Sequence, residues 1–456
     1  MLSKRYLAIT KVEATLLILV IILAAVAGVG FWQAATVAPP TTTVTMVETK
    51  TMTQTVTTTL APGEAATVTK TITQPVTVTV TETKVLTTTV TVAKPLPPIK
   101  IGFTAPMTGA GAFYGQQAYW GAQMAFDEIN AKGGVLGRQL TLIVEDHRGA
   151  PAEAVSAVEK LINIDQVCLI IGTFFSSPTL AVMPIVEKAG VVLIDPVASS
   201  PLIYNQTGAR GNKWVFKPNP SDTLMVKALA KFIFDVKGYR SISLIAEDTD
   251  FGRGVVNTLE VEAAKYGVKV LSKDFVERGA TDFTAVLTKI KGLKPDAIGL
   301  GITGTAQIEL IVKQSKELGI RVPLSGRYDM FAPELKPFIE AGEAEGFNTV
   351  TPYSPLYEGG RNPDFVKAFR ARTGQEPHWN AFLAYEAAYI VAKAIEKAGS
   401  DDRSAIRSAM EGLEYESVTG LKLKFDQNNQ MFPYCYIIEV KDRKLVVQVI
   451  ETAPLK

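Results

Sequence analysis

Histidine and cysteine are nearly missing from this chain, with two of each in 456 residues. That scarcity removes whole classes of chemistry. No cysteines have the spacing of a zinc site, no H-E-x-x-H or G-x-S-x-G motif occurs, and no G-K-[ST] follows a glycine-rich turn, so neither a metal nor a cofactor is expected. Cys168 sits in an apolar, strand-like run and Cys435 in "FPYCYIIEV". Two buried free thiols are therefore expected, a disulfide between them being the alternative. A hydrolase using Ser176 or Ser177 would need a histidine beside it. His147 in "VEDHRG" is the candidate, against its plainer reading as a loop residue.

A surplus of charge of either sign is also missing. The 47 basic and 45 acidic residues leave a formal charge of +2, which supplies no broad basic face, so no nucleic acid is expected as a partner. Between Pro39 and Pro98 large apolar residues give way to Thr, Val and Pro, as in "QPVTVTVTETKVLTTTVTV". Such a tract cannot build a core. It reads as a disordered, extended Thr-rich stalk over 37–98.

What the sequence does have begins at its N-terminus. After "MLSKRYLAITK" runs the uncharged stretch "TLLILVIILAAVAGVGFW", residues 15–32, long enough to cross a bilayer and with its positive charges on the N-terminal side. Residues 1–36 are therefore expected to form a transmembrane anchor that places the remainder outside the cell. A cleaved secretory signal ending near Ala25 or Ala27 is the alternative.

From Ile99 onward, strand-like and helix-like patterns alternate: "IKIGFTAP", then "YGQQAYWGAQMAFDEINA", then "LTLIVED". This is the pattern of an α/β protein with doubly wound parallel sheets. It restarts after "FKPNPSD", which predicts two lobes. The tripeptide Ser-Ser-Pro occurs twice, in "IIGTFFSSPT" and "LIDPVASSPL", each time after an apolar run that reads as a buried strand. Ser177 and Ser200 read as N-caps before Pro178 and Pro201. Ser176 and Ser199 are not needed for capping. In an open parallel sheet ligands sit at strand C-termini beside helix starts, so these two serines are candidates to hold an anion such as a carboxylate. A further strand end, "IGFTAPMTGAGAFYGQQ", presents Tyr114 on a glycine-rich loop. The fingerprint "GLGITG" (Gly299, Gly301, Gly304) has the context of a dinucleotide site, but the acid that follows, Asp329, lies further on than the roughly 20 residues such a site needs. Glycines kept small so that a ligand can reach the strand end are the alternative.

The run from "IKIGFTAPMTGAGAFYGQQAYWGAQMAFDEINAKGG" to "VEKLI", with "IIGTFFSSPTLAVMPIVEKAGVVLIDPVASSP", "IAEDTDFGRG" and "DFTAVLTKIKGLKPDAIGL", resembles the branched-chain amino-acid-binding proteins of ABC importers, which have the type I periplasmic-binding fold. The likeness spans about 99–445. It implies two α/β lobes joined by three hinge crossovers near 216–222, 346–355 and 425–432. The first lobe would be 99–219 with 350–427, the second 220–349 with 428–456. It further implies a ligand carboxylate on Ser176 and Ser199, an ammonium helped by the Val197 carbonyl, and Tyr114 and Phe251 as covering aromatics. The acid for the ammonium falls near "GRYDM", at Asp329 beside Tyr328, and Gly304 lacks the tyrosine some members have there. The function so implied is not enzymatic: a membrane-anchored cell-surface receptor captures a small zwitterion, first an aliphatic or branched-chain amino acid, and passes it to the ABC permease. A receptor for amides, urea or aromatic acids is the alternative on the same fold, and an extracellular hydrolase the alternative from another class.

Overall fold

The computed structural model describes residues 42–48, 54–59, 65–70, 84–90, 96–431 and 433–450. The expected anchor over 1–36 lies outside them. Among the described residues no helix is long and apolar enough to cross a membrane. The chain divides into two compact units, 1–95 and 96–456.

In the first unit the structure departs from an unpartnered stalk. Segments Thr42–Glu48, Gln54–Thr59, Ala65–Lys70 and Lys84–Val90 are strands of one antiparallel sheet, ordered third, second, first, fourth. The physical reason is that alternating Thr and Val favour extended backbone, and strands of like composition satisfy one another's N–H and C=O groups.

The second unit holds two sheets. The first is wholly parallel and runs Leu140–Asp146, Ile99–Ala105, Leu169–Gly172, Val192–Ile194, Val215–Phe216. Its period-2 pattern feeds two cores. Leu169 and Ile171 pack with the helices Ala112–Ala131 and Trp379–Ala398, whereas Ile170 packs on the opposite face with Pro151–Asn163 and Ser176–Ala189. The second sheet runs Lys269–Val276, Ser241–Glu247, Ala297–Gly301, Leu324–Arg327, Asn348–Thr351, all parallel, and then takes the antiparallel hairpin Cys435–Lys441 and Lys444–Ile450 at its edge. Cys168 and Cys435 are buried and free, and burial pushes both thiols up to about 12.

The long helix Trp379–Ala398 comes from the part of the sequence whose periodicity cannot name its lobe, and it packs on Ala112–Ala131. Gly121 makes the contact possible: a Cβ there would stand 1.9 Å from the Ala381 carbonyl oxygen. Further along the same helix, fully buried Glu386 accepts from the Tyr415 hydroxyl (3.0 Å) and the Val418 N–H (3.1 Å), which pins the 415–418 segment. Burial pushes its carboxyl up to about 7.

Two outcomes follow from this packing. Gly121→Ala forces two backbones apart and should cost about 3 kcal/mol or more in urea unfolding. Because the folded pKa of Glu386 lies above the ordinary value of about 4.3, its contribution is full below pH ~4 and is lost as pH rises through about 7. Glu386→Gln lacks that dependence, so its melting temperature should gain a few degrees on the wild type between pH ~4 and ~7 and stay level above.

Candidate functional site

The C-terminal ends of both sheets face one cavity. Tyr114, Ser176, Val197, Ser199 and Phe251 all lie in its wall, together with Phe175, Arg278, Thr303, Arg327 and Asn380. The cavity is about 40 Å³, whereas a buried water needs roughly 10–15 Å³. It suits a small solute.

The two Ser-Ser-Pro copies build its floor unequally. The first opens the 14-residue helix Ser176–Ala189, whose leading N–H groups have no partner within the helix. Helix start and cap differ from expectation, because Phe175 holds the N-cap position and makes no side-chain cap. Ser177 instead accepts from the Asp250 N–H (3.2 Å), at the start of a helix that packs on the second sheet. Ser176 accepts from the Ser200 N–H (3.2 Å) and ties the copies together, its own proton remaining free for a ligand. The second copy starts only the four-residue helix Pro201–Tyr204, capped by Ser200. A helix this short with proline first contributes little dipole, so of the two copies the first presents the stronger positive end. Ser199 donates its proton to Asp222 (2.9 Å), and Arg327 reaches its hydroxyl at 3.5 Å.

Tyr114, 3 % exposed, donates its hydroxyl to the Thr303 carbonyl across the cleft. Phe251 lies under the Arg327 guanidinium, 5.8 Å from ring centre to charge. The Val197 carbonyl accepts from Asn219 Nδ2 (3.0 Å), which leaves its second lone pair.

Asp329 is placed differently. It is buried but outside the cavity wall, with Oδ1 on the Phe331 N–H (2.9 Å) and Oδ2 3.4 Å from His378 Nε2. Burial pushes its carboxyl up to about 7 and holds the His378 imidazole well below its usual range. Tyr328 is buried and donates to the Leu324 carbonyl (3.2 Å). The residue of that stretch in the wall is Arg327, at the tip of its strand. Sequence reading passed over it, although a charge at the end of an otherwise uncharged buried strand was a usable signal. Arg278 and Asn380 carried no such signal.

Two other sequence candidates resolve elsewhere. Gly299 and Gly301 lie inside a strand, and a Cβ on Gly299 would stand 2.4 Å from Leu244 Cδ2, so these two glycines make room for core side chains; Gly304 stands outside the strand, at the N-cap of the helix Thr305–Glu317. His147 spends Nε2 on the Thr173 carbonyl (2.8 Å) and Nδ1 on the Gly149 N–H (3.0 Å), which leaves no nitrogen to activate a serine. Among the described residues no group of His, Cys, Asp and Glu could hold a metal ion.

Residues 98–444 match the family model described as periplasmic binding protein. A leucine-, isoleucine-, valine-, threonine- and alanine-binding protein of Pseudomonas aeruginosa is 30% identical over 335 residues, which are 73% of this chain and 87% of the relative. The Leu/Ile/Val/Thr-binding protein of Salmonella typhimurium is 27% identical, over 73% and 88%. Among solved structures, the branched-chain amino acid transporter substrate-binding protein of Streptococcus pneumoniae, in complex with isoleucine, superposes with a TM-score of 0.69 at 28% identity, covering 78% of this chain and 99% of that one. A benzoate complex of a Rhodopseudomonas palustris solute-binding protein shares the fold, with a TM-score of 0.70 at 21% identity, over 79% and 98%. The cleft between two wound sheets and the match across 98–444 lead to one conclusion: this chain belongs to the periplasmic binding protein family.

Proposed function

We propose that the chain is the exported receptor of an ABC importer, which captures a small amino acid, of the aliphatic kind its relatives are named for, and delivers it to the permease. The observation that carries this reading is the floor of the cleft, where a helix start and the free Ser176 proton converge on a small cavity roofed by Tyr114 and Phe251. A carboxylate suits that floor through charge-assisted hydrogen bonds, which strengthen as water leaves.

The lobes in this reading are 99–219 with 350–427, and 220–349 with 428–456, hinged at their crossovers. Carboxylate capture on the first lobe comes first. Closure then adds Phe251 and Arg327 from the second lobe, and no bond is made or broken. The anchor over 1–36 and the Thr-rich segment would hold the receptor at the cell surface with its cleft outside, raising its effective concentration at the permease.

A second reading, a receptor for aromatic acids or other carboxylates without an ammonium, draws on one observation: Arg278 and Arg327 stand in the wall and no Asp or Glu does. Calorimetry against amino acids, amides and aromatic acids separates the two.

For the tightest ligand of that panel, Ser176→Ala is expected to weaken binding about tenfold, the worth of one hydrogen bond to a charged group. Unchanged affinity in both Ser176→Ala and Ser199→Ala would remove the cleft assignment. Steady turnover of an ester or amide would favour an enzyme instead.

A further inference from the structure

The cavity wall is rich in donors and poor in acceptors. Arg278 places Nε 3.1 Å from Glu247 Oε2 and Nη1 3.4 Å from the Gly149 carbonyl. Arg327 places Nε 2.9 Å from Asp222 Oδ1 and Nη1 2.8 Å from the Val350 carbonyl. Each guanidinium is thus balanced by a carboxylate that lies outside the wall and is already engaged. The Glu247 carboxylate also accepts the Thr303 N–H and hydroxyl, and Asp222 accepts the Ser199 hydroxyl. Neither is free for a ligand cation.

Besides the second lone pair of the Val197 carbonyl, one side-chain acceptor is left over. Asn380, 1 % exposed, lines the cavity at the start of the helix Trp379–Ala398. Its Nδ2 donates to the Tyr114 carbonyl (3.5 Å), which sets the amide's orientation, since a flip would bring two oxygens together. Its Oδ1 accepts nothing: among the described wall residues it is the side-chain atom left buried without a partner. A buried acceptor in that condition is a standing cost that a ligand donor removes.

We propose that Asn380 Oδ1 receives the donor on the α-carbon of the ligand and that, because this acceptor is an uncharged amide, the receptor takes 2-hydroxy acids alongside the matching amino acids. The proposal rests on the amino-acid reading of the cleft. An ammonium makes the stronger hydrogen bond to the amide, but it gives up more hydration on burial and finds no free anion here. A hydroxyl makes a weaker bond and gives up less. The two differences oppose each other, so discrimination is small. A 2-oxo acid has no donor and would set its carbonyl oxygen against Oδ1, the mismatch that polar sites reject most strongly.

The test is calorimetry on the full chain with two series: L-leucine, its 2-hydroxy acid and its 2-oxo acid, and L-alanine, L-lactate and pyruvate. In whichever series binds, amino and hydroxy acid should agree within about tenfold, and the oxo acid should be weaker than the hydroxy acid by about tenfold or more. Asn380→Asp should shift preference toward the amino acid, and Asn380→Leu should remove the penalty on the oxo acid. A wild type that binds the amino acid but holds the hydroxy acid more than about tenfold weaker, or the oxo acid as well as the hydroxy acid, overturns the proposal and leaves the receptor reading standing. If neither series binds, the amino-acid reading fails and takes the proposal with it. The wild-type comparison decides even if a variant does not fold.

Discussion

The site depends on one buried carboxylate. Asp195, fully buried at the end of the strand Val192–Ile194, accepts from the N–H groups of Thr173 (3.2 Å), Val197 (3.0 Å) and Ala198 (3.0 Å) and from the Thr179 hydroxyl. Its charge is balanced by Lys217, equally buried, 3.2 Å away and pushed down to about 8 by desolvation. Removing one partner from such a pair commonly costs about 3–5 kcal/mol, because the other charge is left stranded. The consequence here is geometric. Thr173 precedes the first Ser-Ser-Pro and Val197 the second, so a single carboxylate fixes both loops against each other and presents Ser176 and Ser199 to one cavity.

Lys217 also links that floor to the segment 429–431. Its N–H donates to the Asn429 carbonyl (2.8 Å), and its carbonyl accepts from the Met431 N–H (2.9 Å), next to the end of the first sheet. Across the cleft the contacts are of another kind. The Tyr114 hydroxyl meets the Thr303 carbonyl, Ser177 the Asp250 N–H, Arg278 the Gly149 carbonyl and the Phe175 ring, and His378 the Asp329 carboxyl. These are mostly single polar contacts. Water can replace each at small net cost, whereas the apolar cores within each half cannot be opened so cheaply. A cleft built this way can part without unfolding either half.

Legibility followed the range of the forces involved. The buried strands of the first sheet were readable because "CLIIG" and "VVLI" are uniformly apolar and the intervening helices carry their own periodicity. The two Ser-Ser-Pro copies were readable as strand ends for the same reason. Less readable was what each serine does there: Ser177 gives its oxygen to the Asp250 N–H, 73 residues away in sequence, and no local preference announces that. The Thr-rich segment shows the same limit, since composition favoured extended backbone in its strands but did not announce their pairing.

By itself the sequence determined the alternating α/β elements, the strand ends followed by helix starts at the two Ser-Ser-Pro copies, and the scarcity of groups able to catalyse. All are consequences of periodicity and residue chemistry within a few turns of chain. Tertiary structure alone decided which member of "GRYDM" reaches the cavity. It put Arg327 at the strand tip in the wall, sent Asp329 behind it to His378, and brought Asn380 in from a helix more than 260 residues beyond Tyr114. The physical reason is that a side chain's partner in a cleft is set by how two sheets meet, and that is fixed by packing between distant segments.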